Sequence, residues 1–261
     1  ERMHADGTEA HTPDLKKLRQ NLKSYSPDDY DAVAICLINS YQNRKHEEMI
    51  KDECERAGFS YITTSVSLSQ RSGMIPRAET TVVNAYLAPV MEQYINRINS
   101  KMEHGTLLML NSAGGLSTAE SFTPKESLLS GPAGGIVGAA SIGRKAGFEN
   151  VLSFDMGGTS TDVSRYSGDF SYQHEHRVGS AQIAATALHI ETVAAGGGSI
   201  CYYDGYTLKV GPESAGAHPG PACYGAGGPL TITDVNLLLG RIHPSNFSIP
   251  VDREAAENRL D

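Results

Sequence analysis

The fold is decided by the stretch VLSFDMGGTSTDVSRYSGD, residues 151–169. Two apolar strand patterns, at 151–154 and 163–166, flank a turn of glycines and hydroxyl side chains. Glycine allows positive φ and lets backbone N–H groups approach an anion closely, and consecutive N–H groups in a turn form a concave phosphate site. The alternative is an ordinary glycine-rich β-turn. The predicted phosphate-binding residues of this turn are Gly157, Gly158, Thr159, Ser160 and Thr161.

Two carboxylates border this turn, Asp155 at the end of the first strand and Asp162 at the start of the second. A carboxylate at a strand end can hold Mg²⁺ directly or through water, and strand ends are where α/β folds bind ligands. We therefore predict Asp155 as a metal-binding, catalytic carboxylate and Asp162 as a second catalytic carboxylate. The alternative for each is an aspartate that only bonds the hairpin backbone.

The segment before the hairpin, residues 130–147, is rich in Gly and Ala and predicts a helix that begins near Ser130 and stops at Gly147. Its small side chains would let another helix cross close by. A small-residue helix followed by a strand–DxGGT–strand hairpin resembles the second half of the actin/Hsp70/sugar-kinase ATPase fold. In that fold the hairpin carries the second phosphate loop.

Further glycine- and proline-rich blocks follow in a fixed order. Together they resemble the hydantoinase A/5-oxoprolinase family over nearly all of residues 30–247. The family usually has an earlier Gly-Gly-Thr loop, which is not found here, and Asp-Ile-His where this chain has His189-Ile190-Glu191. The blocks are SYQNRKHE (40–47), RAETTVVNAYLAP (77–89), GPAGG (131–135), FDMGGTSTDVS (154–164), AAGGGSI (194–200), VGPESAGAHPGPACYG (210–225) and TDVNLLLGRI (233–242).

The resemblance implies an α/β fold with two RNase H-like lobes of the actin/Hsp70 ATPase type, the first lobe only partly present. Residues 1–129 would be the C-terminal part of the first lobe and 130–147 an interlobe helix. Residues 148–261 would form the second lobe, with the phosphate-binding hairpin and the Gly/Pro-rich loops. The chain is expected to be a fragment that lacks the N-terminal phosphate loop and is inactive by itself.

The activity implied by the resemblance is ATP-dependent ring opening of a cyclic amide, such as 5-oxoproline or a hydantoin, with ATP and Mg²⁺ as cofactors. A hydantoinase B-like subunit or domain is the implied partner. The enzyme alternative is a subunit of an acetone or acetophenone carboxylase. A non-catalytic nucleotide-binding module or an Hsp70-like ATPase switch is an alternative of another class.

The same resemblance favours further site residues. A second nucleotide phosphate-binding loop would comprise Gly196, Gly197, Gly198 and Ser199, although a bulge that needs positive φ gives the same pattern. The candidates for substrate or loop contacts are Arg77, Glu213 and His218. Arg77 could instead cap the long helix, and His218 could be an ordinary exposed loop histidine.

Composition narrows the partners. The net charge of −8 and the lack of a long basic stretch argue against a nucleic-acid partner. The four cysteines have no paired spacing, as expected for reduced thiols. No apolar run approaches the roughly 20 residues of a membrane span, and no signal peptide is recognisable, so we expect a cytoplasmic protein without a membrane partner.

Strand and helix patterns alternate in the first half of the chain, which predicts a parallel α/β sheet. A meander of three strands is expected after the small-residue helix. The predicted helices are 15–22, 44–57, 78–103 with a kink or break at Pro89, and 235–241 capped by Asp234; the predicted strands are 31–38, 61–68, 107–111, 151–156, 161–166, 170–177 and a hairpin at 199–211.

Overall fold

The computed structural model describes residues 1–260, and the chain divides into two units. The first unit contains Glu1–Gly134 and Ser171–Leu188, and the second contains Gly135–Phe170 and the chain from His189 onward. The sequence placed 171–188 in the second lobe, whereas the structure groups it with the first unit. Within residues 1–260 no helix is both long and apolar enough to cross a bilayer.

The elements are short apart from one helix of 26 residues. The helices are α1 Leu15–Leu22, α2 Lys45–Arg56, α3 Ser65–Leu68, α4 Met74–Asn99, α5 Ser130–Lys145, α6 Ile232–Leu238 and α7 Arg253–Glu257. The strands are β1 Arg2–Met3, β2 Glu9–His11, β3 Val33–Ile35, β4 Ile62–Thr64, β5 Leu108–Leu110, β6 Leu116–Thr118, β7 Asn150–Met156, β8 Thr161–Ser167, β9 Tyr172–Gln173, β10 His176–Val178, β11 Ala181–Ile183, β12 Ala187–Leu188, β13 Glu191–Val193, β14 Ser199–Tyr203 and β15 Leu208–Ser214.

The parallel pairing expected in the first unit is limited to β3 and β4. A buried cluster of Ile35, Cys54 and Phe59 joins this pair to α2. The predicted strand 61–68 ends at Thr64, because the chain turns into α3 at a buried carboxylate. Glu47 accepts hydrogen bonds there from the hydroxyl of Ser65 at 2.6 Å and from the amide of Val66 at 3.1 Å.

Helix α4 runs through Pro89 without a break. Its buried residues are mostly polar, and two of them hold other parts of the first unit. The hydroxyl of Thr80 accepts from the amide of Ala184 at 2.8 Å, and the side-chain oxygen of Asn84 accepts from the amide of Lys125 at 3.1 Å.

The predicted third strand of the meander, 170–177, is wrong. This segment forms β9 and β10, which pair with β12 and β11 respectively. Side chains of α4 accept hydrogen bonds from the amides of Gln182, in β11, and Ala184, just after it. Strand β13 takes the free edge of β8 instead, so the sheet order in the second unit is β13-β8-β7.

The small residues of α5 bring the helix against a strand rather than another helix. A Cβ atom on Gly143 would lie 2.3 Å from a methyl group of Val151 on β7. After the sheet come the hairpin β14–β15, which confirms the turn at Asp204-Gly205, and helices α6 and α7. A buried cluster of Cys223, Leu237 and Ala256 joins these two helices to the Gly/Pro-rich loop.

Candidate functional site

The hairpin β7–β8 places the two predicted carboxylates side by side. Asp155 and Asp162 are direct partners in the antiparallel register, and Met156 pairs with Thr161 next to the turn. Directly opposite residues of an antiparallel pair share one face of the sheet. On the other side of β8, Thr192 of β13 pairs with Asp162, and its hydroxyl donates to Asp162 Oδ1 at 2.7 Å. The row Thr192–Asp162–Asp155 therefore crosses one face of the sheet.

The two carboxylates lie opposite each other without a basic partner in the described part of the chain. Like charges directly opposite each other destabilise a sheet, and within residues 1–260 no basic side chain forms an ion pair with either one. Those residues contain no cluster of three or more ligands arranged for a metal. Mg²⁺ is commonly bound by one or two carboxylates, and water and phosphate oxygens fill its other coordination positions. The donor chemistry of Asp155 and Asp162 thus fits Mg²⁺.

Helix α5 approaches the same carboxylates. A Cβ atom on Gly135 would lie 3.8 Å from Asp155 Oδ2, so the helix passes within van der Waals distance of this carboxylate. Asp155 is nevertheless exposed, and Asp162 is half-buried. A ligand can therefore reach Asp155, while Asp162 is held by its bond with Thr192.

Two amide N–H groups of the turn between the strands point away from the 196–199 loop. The carbonyl groups of Gly157 and Gly158 accept from the amides of Gly197 at 2.9 Å and Gly198 at 2.6 Å. In a trans peptide the N–H points opposite to the C=O of the same unit. The N–H groups of Gly158 and Thr159 consequently point away from the 196–199 loop, and neither has a backbone acceptor within residues 1–260.

The two glycines of the turn are not explained by backbone conformation. Positive φ was the expected reason for them, but neither Gly157 nor Gly158 has a positive φ. A Cβ atom on Gly157 would meet only Ser160 O at 3.4 Å, and one on Gly158 would meet nothing within 4 Å. The space beside Gly158 is therefore open.

The loop 196–199 supports the turn. Besides the two bonds to Gly157 and Gly158, the amide of Gly196 donates to Ser199 Oγ at 2.9 Å, and the amide of Ser199 donates to Gly196 O at 3.0 Å. All four amide hydrogens of the loop are thus bound within the protein. A Cβ atom on Gly196 would come within 2.7 Å of the Gly158 and Thr159 backbone, so glycine is required there by close approach.

Helix α6 in turn supports this loop. The amide and the hydroxyl of Thr233 both donate to Gly197 O at 2.8 Å. Thr231, not Asp234, is the N-cap, and Asp234 stands at the third helical position of a capping box. The predicted cap, Asp234, is therefore wrong. The pattern T-x-x-D in TITD, residues 231–234, indicates Thr231 as the cap. The bonds from Thr233 to this loop could not be read from the sequence pattern, because the two segments lie 36 residues apart.

Asp234 has a second structural task. Its fully buried carboxylate accepts from the amides of Ala222 at 3.1 Å and Cys223 at 2.8 Å, in addition to the amide and hydroxyl of Thr231. The Gly/Pro-rich loop is thereby fixed to α6. Burial and the Asp234 carboxylate raise the pKa of Cys223 to about 12, so this thiol stays protonated and is not a nucleophile at neutral pH.

The remaining candidates are Arg77, Glu213 and His218, and no hydrogen bond to the β7–β8 hairpin is found for them within residues 1–260. Arg77 is buried in the first unit, where its guanidinium donates to Ser65 Oγ and to Leu37 O, each at 2.7 Å, and faces Glu47 at 3.9 Å. It is the fourth residue of α4 rather than its cap, and its contacts serve packing. Glu213 and His218 are exposed in the second unit.

The family models give a match over most of the chain. The model described as Hydantoinase/oxoprolinase matches residues 77–261, and that described as Hydantoinase/oxoprolinase N-terminal region matches residues 1–58. The 5-oxoprolinase of Saccharomyces cerevisiae is 41% identical over 241 residues, which are 90% of this chain and 19% of that protein. The acetophenone carboxylase gamma subunit of Aromatoleum aromaticum is 31% identical over 278 residues, covering 100% of this chain and 38% of the subunit.

Solved structures agree with these matches. The crystal structure of an ATP-dependent caprolactamase from Pseudomonas jessenii superposes with a TM-score of 0.81 at 32% identity, covering 99% of this chain and 39% of that one. A nucleotide-free acetone carboxylase shares the fold, with a TM-score of 0.79 at 23% identity and the same coverage. The chain thus spans 19% of the yeast 5-oxoprolinase and 39% of the caprolactamase. On the matched family models and the identity to these relatives, the chain belongs to the hydantoinase/oxoprolinase family.

Proposed function

We propose that this chain carries the phosphate-binding hairpin of an enzyme that uses ATP to open a cyclic amide. The observation that carries the proposal is the juxtaposition in one hairpin of two opposed carboxylates without a basic partner and two amides without a backbone acceptor, both within residues 1–260. We assign to the amides of Gly158 and Thr159, which have no backbone acceptor within residues 1–260, the role of binding phosphate oxygens. We assign to Asp155 and Asp162, which are register partners, the role of holding the accompanying ion.

The chemistry follows from the weakness of an amide carbonyl as an electrophile. Transfer of the γ-phosphoryl group from ATP to the amide oxygen would activate the carbonyl carbon for addition of water. Cleavage of the C–N bond would then open the ring, releasing the nitrogen as an amine and leaving an acyl phosphate, which a second water would hydrolyse to a carboxylate and phosphate. Phosphoryl transfer depends on positioning and on neutralising the charge on the phosphate oxygens. Mg²⁺ held by Asp155 and Asp162 would supply part of that neutralisation, and the amides of Gly158 and Thr159 would bind and orient the phosphate.

Two of the related proteins support a cyclic amide as the substrate. One is a 5-oxoprolinase, and another is an ATP-dependent caprolactamase. Both names describe lactam chemistry, and the second also states ATP dependence. We extend this activity to the full-length protein, with a hydantoinase B-like segment or subunit as the proposed partner.

An ATP-dependent carboxylase is the second candidate, because the match to the acetophenone carboxylase gamma subunit covers 100% of this chain. The same hairpin would serve both reactions if the phosphoryl acceptor were an enol or carbonyl oxygen instead of an amide oxygen. The hairpin itself does not distinguish the two acceptors.

The test measures phosphate release by the full-length protein with ATP and Mg²⁺. We expect release to depend on an added lactam, with 5-oxoproline, hydantoin and caprolactam as the panel. Release that depends on acetone or acetophenone with bicarbonate would favour the carboxylase. ATP binding without release for any of these compounds would indicate a non-catalytic nucleotide-binding module and overturn the proposal.

A further inference from the structure

A polar cleft of about 430 Å³ lies wholly within the first unit. Its walls are the end of α3, the turn Pro124–Ser127 and residues 174–186. The volume is within the range of small-ligand sites. The polar side chains that line it are those of Ser69, Arg71, Lys125, Glu126, His174 and Thr186.

Lys125 is the unusual residue of this cleft because its buried ammonium forms no ion pair within residues 1–260, and the nearby Glu126 carboxylate only partly opposes the effect of burial on its pKa. The residue is 9% exposed, and its Nζ donates to Leu68 O at 2.9 Å and to Ala184 O at 3.4 Å. No acidic side chain of residues 1–260 forms an ion pair with it. An ammonium has three hydrogens to donate, so one remains for an acceptor that residues 1–260 do not supply.

The other charged groups around the cleft already have partners. Arg71 forms an ion pair with Glu175. The carboxylate of Glu126 accepts from the amide of Thr123 at 3.1 Å in a capping box. Because buried charges are normally paired, the positive charge of Lys125 is the one that calls for an added anion. Burial accordingly lowers the pKa of Lys125.

We propose that this cleft is a binding site for a small monocarboxylate, whose oxygen accepts the third hydrogen of the Lys125 ammonium. A hydrogen bond between two charged groups is the strong kind. Glu126 lines the same cleft and would repel a second negative charge, so a monoanion fits better than phosphate. The proposed site uses no residue of the hairpin, and its test reads carboxylate binding rather than ATP-dependent phosphate release, so the two proposals can fail separately.

The experiment follows ¹⁹F resonances of 4,4,4-trifluorobutyrate and its neutral isostere 4,4,4-trifluorobutyramide mixed with the full-length protein. We expect the protein to broaden the acid resonance and leave the amide resonance sharp. Lys125→Met should weaken binding of the acid by about tenfold or more, as expected for loss of a charged hydrogen bond. The matched control is Lys51→Met, since Lys51 is partly exposed on α2 and pairs with Glu55; it should bind like the parent.

A second variant keeps the test decisive if Lys125→Met fails to fold. Glu126→Gln retains a side chain that suits the capping box but removes the repulsion, so it should bind the acid more tightly than the parent. The proposal is overturned if the amide binds as well as the acid or if phosphate displaces the probe better than acetate does. It is equally overturned if Lys125→Met binds like the parent, or if Glu126→Gln binds no tighter.

Discussion

At the scale of single residues, the carboxylates of Asp155 and Asp162 differ in their hydrogen bonds. The Asp162 carboxylate accepts a bond from the hydroxyl of Thr192. The Asp155 backbone pairs with β8, but its carboxylate has no donor among residues 1–260. An exposed carboxylate without a protein partner at a strand end is free to serve a ligand. Asp155 is therefore the residue whose replacement separates function from folding most cleanly.

We expect Asp155→Asn to lower the kcat of the full-length enzyme by about 10²-fold or more, the effect of losing one preorganised electrostatic group. The thermal unfolding midpoint should hardly change, because the side chain makes no bond that the fold needs. Steady-state kinetics and thermal unfolding measure the two effects. Glu149→Gln, an exposed carboxylate just before β7, is the matched control. If Asp155→Asn had the same steady-state kinetics as the parent, Asp155 would have only a structural role in the turn.

Two glycines of the site make a contrasting pair of tests. Alanine at Gly158 has open space, so Gly158→Ala should fold normally yet bind ATP more weakly, and Gly158→Val should lose binding. Alanine at Gly196 would press on the backbone of Gly158, so Gly196→Ala should lose both stability and affinity. Calorimetric ATP titration and thermal unfolding of the full-length protein distinguish the two. Normal affinity in Gly158→Val would mean that the turn does not hold phosphate.

At the scale of elements, a chain of hydrogen bonds runs from α6 through the 196–199 loop to the turn at Gly157 and Gly158. Helix α6 bonds the 196–199 loop through Thr233, and that loop bonds the turn through the amides of Gly197 and Gly198. Asp234 fixes the start of α6 to the Gly/Pro-rich loop. The turn thus receives its shape from elements that are far from it in sequence, which keeps its free amides in place before a ligand arrives.

This chain of hydrogen bonds predicts a measurable role for Thr233. Thr233→Val removes the hydroxyl bond to Gly197 O but keeps the branched shape and the amide bond. We expect ATP affinity to fall by about fivefold, corresponding to one ordinary hydrogen bond, with little change in the KM for the lactam. Thr233→Ser should restore the affinity because it restores the donor. If the valine variant bound ATP like the parent, the backbone bonds alone would position the loop.

The sequence predicted those features of the fold that depend on local patterns. Helix α1 and the hairpin β7–β8 lie where apolar spacing and turn residues placed them, and the carboxylates flanking the turn do come together. The edge partner of β8 was wrong, because alternation within residues 170–177 does not encode which strand they join. The glycine pattern likewise does not show that Gly158 borders open space whereas Gly196 lies against another backbone segment. That difference depends on residues distant in sequence.

At the scale of the whole molecule, acid stability depends on a few carboxylates among the 30 acidic residues. Glu9 on β2 ties the N-terminal hairpin to α2 through Lys45 Nζ at 2.5 Å and His46 Nε2 at 3.2 Å. The hydrogen bond from Lys45, with those from Thr12 and His46, lowers the pKa of Glu9 to about 2. Glu53, which pairs with Arg19 of α1, also has a lowered pKa.

The direction of the pH effect follows from these lowered values. A carboxylate whose pKa is lower in the folded than in the unfolded chain stabilises the fold fully above its unfolded pKa, and that contribution is lost as the pH falls toward the folded pKa. We therefore expect the unfolding midpoint to drop between about pH 4.5 and pH 2, the interval between the ordinary and lowered pKa of Glu9. Glu9→Gln should flatten this drop, most clearly at low salt, where exposed ion pairs are least screened. Thermal unfolding at several pH values measures it, with Glu55→Gln, an exposed partner of Lys51, as the control. Parallel curves for Glu9→Gln and the parent would show that Glu9 does not govern the acid response.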